Sequence, residues 1–406
     1  MERIKGLYHN ILARLSTVLF GFPAYKLTVI AVTGTSGKTT TAHLIYSILK
    51  KAGKKVSLIS SVEAIIGGKS LDTGFHVTTP NAFFLQLFLR KAVCQGENFV
   101  VIEASSHGIA QYRMLGTNVT IAVLTNISHE HLDFHKTFKN YADAKLSLIT
   151  SSKIGLVNKD DSSFELVNKS VDLKAVILSY SLKDKTADFT PQNTESKSSL
   201  PGIYNEQNVI AASAVGQLLN IETKLIKKAL SEFKGIKGRF EEIKNKRGVR
   251  LIIDFAHKPN AFEALLSTLS KEDHNRLILV FGSAGERDKG KRKMMGEIAA
   301  KYADISILTA EDPRSEDVNK IIQEIANGAL SNGAVDLSKV DKIGKKHVFV
   351  KIPDRGRAID RAINRYAKNG DIIAFLGKGH EKSMCYVSTE HPWSEHEEIN
   401  KALARK

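Results

Sequence analysis

The chain has 406 residues, 42% of them hydrophobic and 25% charged, which is enough for two cored domains and too apolar for a disordered polymer. The net charge of +16 favours anionic partners. The basic residues are spread along the chain, however, with no zinc-finger spacing and no aromatic RNA-binding signature, so no nucleic-acid partner is expected. Two cysteines, Cys94 and Cys385, lie too far apart in sequence for a zinc ribbon or disulfide framework, which fits a reducing, cytoplasmic setting.

At the start, Leu7, Ile11, Leu15, Val18, Leu19 and Phe22 recur at helical spacing. The run is too short to span a bilayer, Arg14 interrupts it, and no small-residue cleavage site follows. The expectation for residues 1–27 is an amphipathic helix whose apolar stripe packs on the domain behind it. Weak membrane association through residues 7–22 is the alternative.

Residues 28–32 are β-branched and read as a buried strand, closed by the turn Gly34-Thr35-Ser36-Gly37. A helix follows over residues 38–51. Strand-like runs recur at 56–59, 99–102, 121–124 and 154–157, with helical stretches between most of them. Residues 181–202 are polar and carry Pro191 and Pro201, so they read as a surface excursion. A helix is expected over 207–220 and a hinge at 235–238. The alternation then resumes with strands at 251–254, 277–281, 305–309, 347–351 and 372–375. The predicted fold is α/β: a phosphate-loop domain with a mostly parallel sheet over 28–237, and a Rossmann-like α/β domain over 238–406.

The segment Thr33-Gly34-Thr35-Ser36-Gly37-Lys38-Thr39-Thr40 stands between strand and helix, where a phosphate cradle belongs. Its glycines let backbone N–H groups turn inward. Lys38 offers a point charge to the β- and γ-phosphates, and Thr39 is placed for Mg²⁺. Val32 stands where strict Walker spacing has glycine, so the loop is a compact variant. Such a loop serves kinases, switches and ligases alike.

Further chemistry sits at strand ends. Glu103 opens Glu103-Ala-Ser-Ser-His-Gly108. The run Thr125-Asn126-Ile-Ser-His129-Glu130-His131-Leu-Asp133-Phe-His135 follows another strand, and Tyr141-Ala-Asp-Ala-Lys145 comes after it. Carboxylate and imidazole groups beside a phosphate loop suit a Mg²⁺–ATP site. Taken alone, the histidine run also fits polar surface or a Zn²⁺ site.

Together with Thr78-Thr79-Pro80, Asn205, Asn208, Gly238-Arg239, Asp254-Phe-Ala-His257, Arg287, Glu311-Asp312-Pro313-Arg314 and Gly377-Lys-Gly-His-Glu381, these motifs occur in the order found in Mur ligases. The chain most resembles the MurE-type UDP-N-acetylmuramoyl-tripeptide synthetases, from about residue 28 to the end. That resemblance implies an ATP-dependent, ADP-forming amide ligase working through an acyl phosphate in peptidoglycan synthesis. Lys38, His131 and Lys145 would be catalytic. Thr39, Glu103, His131 and a carbamylated Lys145 would hold Mg²⁺. Gly34 to Thr40, Asn205, Asn208, Arg239, Asp254 and His257 would bind ATP, the last two closing over it from the second domain.

Thr78, Thr79, Ser105, Gln111 and Arg113 match the family's acceptor contacts, although Val77 replaces a commonly polar residue. Arg287, Glu311, Asp312, Pro313, Arg314, Gly377 and Glu381 match its amino-acid pocket. Arg314 favours a diamino acid with a second carboxylate, meso-diaminopimelate, ahead of lysine. The family's diaminopimelate signature has Asn where this chain has Asp312, a charge that could favour an ammonium or offset Arg314. The uridine-binding domain that usually precedes the phosphate-loop strand has no counterpart in residues 1–27. A Mur-like ligase of a lipid-linked or poly-glutamate acceptor is therefore the second reading, and a phosphate-loop switch the third. The expected partners are small molecules, and the expected state is a monomer.

Overall fold

The computed structural model describes residues 2–71, 78–128, 130, 132–169, 175–339 and 347–405. Val77, His129 and His131 lie outside the described residues. The chain divides into two compact units, Met1–Lys234 and Gly235–Lys406.

The first unit is built on an eight-stranded sheet. Its strands in chain order are β1 (Thr28–Thr33), β2 (Val56–Ile59), β3 (Ala64–Ile66), β4 (Lys69–Leu71), β5 (Phe99–Glu103), β6 (Val119–Leu124), β7 (Ile154–Asn158) and β8 (Val176–Tyr180). Their spatial order is β4-β3-β2-β5-β1-β6-β7-β8. Every pair is parallel except β2–β3 and β3–β4. The parallel strands are apolar runs because helices cover both faces, leaving no polar side to alternate toward. The first element, α1 (Glu2–Leu19), packs against α3 (Ala82–Cys94), and α2 (Lys38–Lys51) follows β1 directly. Asn81 caps α3 by accepting from the Phe84 N–H.

Chain order reverses around β1, with β5 on one side and β6 on the other. Register aligns Val32 with Glu103 and Thr33 with Leu124, so the carboxyl ends of all three strands open into one crevice. Open α/β sheets bind ligands at such a switch point.

The second unit carries a seven-stranded sheet of β9 (Glu241–Ile243), β10 (Arg250–Asp254), β11 (Leu277–Phe281), β12 (Ile305–Leu308), β13 (Val335–Asp336), β14 (Val348–Lys351) and β15 (Ile372–Leu376). Its order is β13-β14-β12-β11-β15-β10-β9, parallel except at β9–β10. A hairpin of β16 (Ser383–Tyr386) and β17 (Thr389–Pro392) precedes the C-terminal helix Glu395–Ala404.

That helix is tied to the sheet through charge. Arg355 and Glu395 are fully buried and paired at 2.5 Å. The guanidinium also donates to the Ala310 and Leu376 carbonyls at 3.1 and 2.9 Å. Glu395→Ala would leave a buried guanidinium without its counter-charge. A loss of about 3–5 kcal/mol is expected, read as a lower urea midpoint at unchanged slope.

Two expectations need correction. Residues 181–202 form a loop with many exposed residues, as expected, but it is not solvated throughout. Ser181, Ala187, Thr190 and Thr194 are buried, and Asp160 accepts from the Ser181 hydroxyl and the Leu182 N–H. Polar composition there builds an internally hydrogen-bonded loop, since short hydroxyl and amide side chains replace ladder partners. The second correction concerns α1, whose buried face is Ala13, Ser16 and Thr17 while its apolar stripe faces outward.

Candidate functional site

The loop after β1 approaches its neighbours so closely that two glycines are required. Gly34 has φ +151°, and a Cβ there would fall 1.8 Å from the Thr125 hydroxyl. Gly37 has φ +82°, and its Cβ would fall 2.4 Å from Asn208 Oδ1. Gly37 forms the left-handed N-cap of α2, so the first-turn amides of Lys38, Thr39 and Thr40 lie at a 14-residue helix's positive end. The residues after β6 hold this shape. The Asn126 amide accepts from the Ser36 N–H at 2.9 Å and donates to the Ser36 carbonyl at 3.1 Å. The Thr125 hydroxyl donates to that carbonyl at 2.6 Å. Thr35 shares a 2.7 Å hydrogen bond with the Tyr141 hydroxyl and accepts from the Ser128 N–H at 2.9 Å. Burial, joined by Glu130, raises the Tyr141 pKa against the opposing Thr35 bond, so the phenol keeps its proton.

Two lysine side chains meet the loop's carbonyls. Lys38 Nζ donates to Gly34 O at 3.1 Å and Thr35 O at 3.2 Å. Lys145 Nζ donates to Gly34 O at 2.7 Å, is 1% exposed, and lies 4.8 Å from the Tyr141 ring centroid. Tyr141 and Lys145 reach the loop together because they are four residues apart on the helix Phe138–Ser151, capped by Thr137.

Glu103, at the end of β5, is buried and faces Thr39. The Thr39 hydroxyl donates to both carboxylate oxygens at 3.1 Å, and the Ser61 N–H donates to Oε2 at 2.9 Å. An alcohol and a carboxylate converging at the foot of a phosphate loop are hard oxygen donors, the set Mg²⁺ takes beside phosphates. No group of three His, Cys, Asp or Glu residues able to hold a metal occurs among the described residues. Asn208 braces the loop's other flank, accepting from Thr41 at 3.2 Å and donating to Asn205 at 3.3 Å.

Thr79, Ser105, Gln111 and Arg113 form a cluster beside Glu103. The Thr79 hydroxyl donates to the Glu103 carbonyl at 3.0 Å and accepts from the Ser105 N–H at 2.9 Å. Arg113 donates to the Thr79 carbonyl at 2.5 Å and to Gln111 Oε1 at 2.6 Å. Burial lowers the Arg113 pKa. Thr78 is half-buried next to this cluster.

In the second unit, Asp254 at the end of β10 accepts from the Phe240 and Ala256 N–H groups at 2.6 and 2.7 Å. Desolvation raises its pKa, opposed by Arg239, whose guanidinium lies 4.5 Å from the Phe255 ring centroid. Burial, reinforced by Lys291 and Lys258, keeps the His257 pKa well below its ordinary value, so the imidazole is neutral.

Glu311, Asp312, Arg314, Gly377 and Glu381 meet where β12 and β15 end, and Lys378 lies among them. Lys378 is fully buried, with Nζ 2.9 Å from Asp312 and 2.7 Å from Glu381. Burial alone would lower its pKa, but Glu381 and Asp312 raise it, so it stays an ammonium. Asp312 also accepts from the Cys385 N–H at 3.0 Å. Arg314 has φ +53° and its backbone pairs with Cys385 and Val387. Its guanidinium Nε is buried and has no hydrogen-bond partner among the described residues. Glu311 stands against Gly377, and burial raises its pKa. Pro313 is buried beside them, whereas Arg287 is exposed. The roles of Asn126, Tyr141, Ser61 and Lys378 escape sequence reasoning. Asn126, Tyr141 and Lys378 stand inside the quoted motifs, but only the fold reveals what each one holds.

Residues 32–216 match the Mur ligase middle domain, and residues 238–379 match the Mur ligase glutamate ligase domain. The UDP-N-acetylmuramyl-tripeptide synthetase of Borrelia garinii subsp. bavariensis is 36% identical over 420 residues, covering 97% of this chain and 80% of that protein. The UDP-N-acetylmuramoyl-L-alanyl-D-glutamate–2,6-diaminopimelate ligase of Caldanaerobacter subterraneus subsp. tengcongensis is 33% identical over 411 residues, covering 97% and 81%. A solved structure with the latter ligase name superposes with a TM-score of 0.60 at 32% identity, covering 93% of this chain and 78% of that one. With the phosphate loop, both sheets and these relatives in agreement, the chain belongs to the Mur ligase family of ATP-dependent, ADP-forming ligases.

Proposed function

We propose that this ligase joins a diamino acid, with meso-diaminopimelate preferred, to the D-Glu carboxylate of a muramoyl-L-Ala-D-Glu acceptor. The observation that carries the amino-acid preference is the buried pairing of Asp312 with Lys378. Asp312 directs Oδ1 inward to that ammonium and to the Cys385 N–H, and makes no ion pair with Arg314 among the described residues. Arg314, with Nε still lacking an acceptor, suits a distal carboxylate better than a lysine ammonium. The name of the solved relative at 32% identity points the same way.

In this reading an acceptor carboxylate oxygen attacks the γ-phosphorus of ATP, and the bond to the bridging oxygen breaks to release ADP. The amine of the diamino acid then attacks the acyl carbon, loses a proton, and expels inorganic phosphate. The first step brings two anions together and the second needs an uncharged amine held at the acyl carbon, so charge neutralisation and positioning dominate. Lys38 and the first-turn amides of α2 neutralise the phosphates. Thr39 and Glu103 would hold Mg²⁺, which when bound supplies further positive charge to the phosphate oxygens. His131 and a carbamylated Lys145 are proposed to help hold metal. Thr78, Thr79, Ser105, Gln111 and Arg113 orient the acceptor.

The test is ADP release with UDP-muramoyl-L-Ala-D-Glu and a panel of meso-diaminopimelate, lysine and ornithine. The expected result is strong dependence on meso-diaminopimelate. If none of the three stimulates ADP release, the proposal fails. Arg314→Ala should lower kcat/KM for meso-diaminopimelate about 100-fold, the loss of one strong charged contact. It should change lysine use far less. An equal loss for both amino acids would remove Arg314 as the selector.

A further inference from the structure

We propose that α1 is a docking face for an anionic lipid surface. An amphipathic helix of a soluble protein normally buries its apolar stripe. Here Leu7, Tyr8, Ile11, Leu15, Val18 and Leu19 are turned outward, with Leu15 63% and Leu19 69% exposed. The inward face is Ala13, Ser16 and Thr17. Ser16 and Thr17 return their hydroxyls to the helix's own Leu12 and Ala13 carbonyls at 2.7 and 2.8 Å. They can therefore pack inward without an unsatisfied polar group, which frees the apolar stripe for another surface.

The exposed face continues beyond the helix. Phe22 and Tyr25 are exposed after α1. Phe20 meets the ring of Phe83 on α3 at 5.1 Å, and Phe83 meets Phe84 at 5.7 Å, both of them exposed. An outward apolar patch of this extent on one side of a unit marks an interaction site.

Charge selects the occupant. Residues 1–27 and α3 together contain Arg3, Lys5, Arg14, Lys26, Arg90 and Lys91 against Glu2 alone. Arg14, Lys26, Arg90 and Lys91 are exposed. Apolar side chains bordered by cations fit the acyl–headgroup boundary of an anionic leaflet, where arginine stems lie along the apolar surface and their heads reach the phosphates. A second copy would bring the same excess of positive charge face to face. No described helix is long and apolar enough to cross a membrane, so α1 would lie in the surface plane.

The experiment is co-sedimentation of the full chain with vesicles of phosphatidylglycerol and phosphatidylcholine mixed, or of phosphatidylcholine alone. Binding is expected to the anionic vesicles and to fall with salt. It should weaken about tenfold in Arg14→Glu and be lost in Leu15→Glu/Val18→Glu. A Leu19→Trp variant keeps the face apolar and should shift its emission to the blue only with anionic vesicles. That reading decides the matter if the double variant does not fold. Absence of binding, equal binding to both lipids, or undiminished binding by a folded double variant would overturn the proposal. So would a wild-type dimer that the double variant converts to monomer without any vesicle binding.

Discussion

Lys38→Ala is expected to lower amino-acid-dependent ADP release about a thousandfold, the scale reached when a preorganised charge at a phosphoryl site is lost. Lys38 stands at the first turn of α2 with its ammonium between the Gly34 and Thr35 carbonyls, so the loop itself fixes where the charge sits. The other lysine at this loop, Lys145, reaches the Gly34 carbonyl from the helix Phe138–Ser151. Lys38→Arg should recover little, since a planar fork does not fit a loop already closed by Thr125 and Asn126. Steady-state kinetics, with nucleotide affinity measured by calorimetry, make the check. Activity within tenfold of wild type would show that the loop amides suffice.

Lys145→Ala is expected to cause a loss of similar size, and here the outcome separates two roles for one side chain. A lysine that merely ties its helix to Gly34 would be replaced by Met at moderate cost in stability, with activity largely kept. A lysine that reacts with CO₂ becomes a long carboxylate able to face a divalent cation, and its loss should be partly reversed by formate or acetate. Reaction requires the neutral amine, which burial favours. Expected are roughly a thousandfold drop in Lys145→Ala, measurable recovery with a short carboxylate, and a steeper Mg²⁺ requirement. Unchanged activity would remove the carbamate role.

Much of the architecture was legible because buried parallel strands are apolar runs. The runs at 28–32, 99–102 and 121–124 became β1, β5 and β6, whose common end carries Lys38, Glu103 and Asn126. The short antiparallel β3 and β4 were not legible, since three-residue strands carry too little periodicity. The helix expected at 207–220 instead spans Ile203–Leu218, preceded by the N-cap Gly202, whose φ of +95° no spacing rule reveals. Periodicity located α1 but could not say which face is buried. That depended on neighbours distant in sequence, α3 and Gly116, the latter lying against Thr17. The charge of Asp312 was visible, but its neutralisation was not, because Lys378 lies 66 residues away in sequence.

The buried Arg355–Glu395 pair bears on how this protein can be shortened or fused. Arg355 donates to the carbonyls of Ala310 and Leu376, the residues immediately before Glu311 and Gly377. Its orientation depends on a carboxylate from the last helix. Trimming that helix would therefore act as a remote specificity mutation, loosening both loops of the Arg314 pocket from a site that touches no ligand. A fusion partner appended after Lys406 leaves this tether whole, whereas a boundary drawn before Glu395 cuts it.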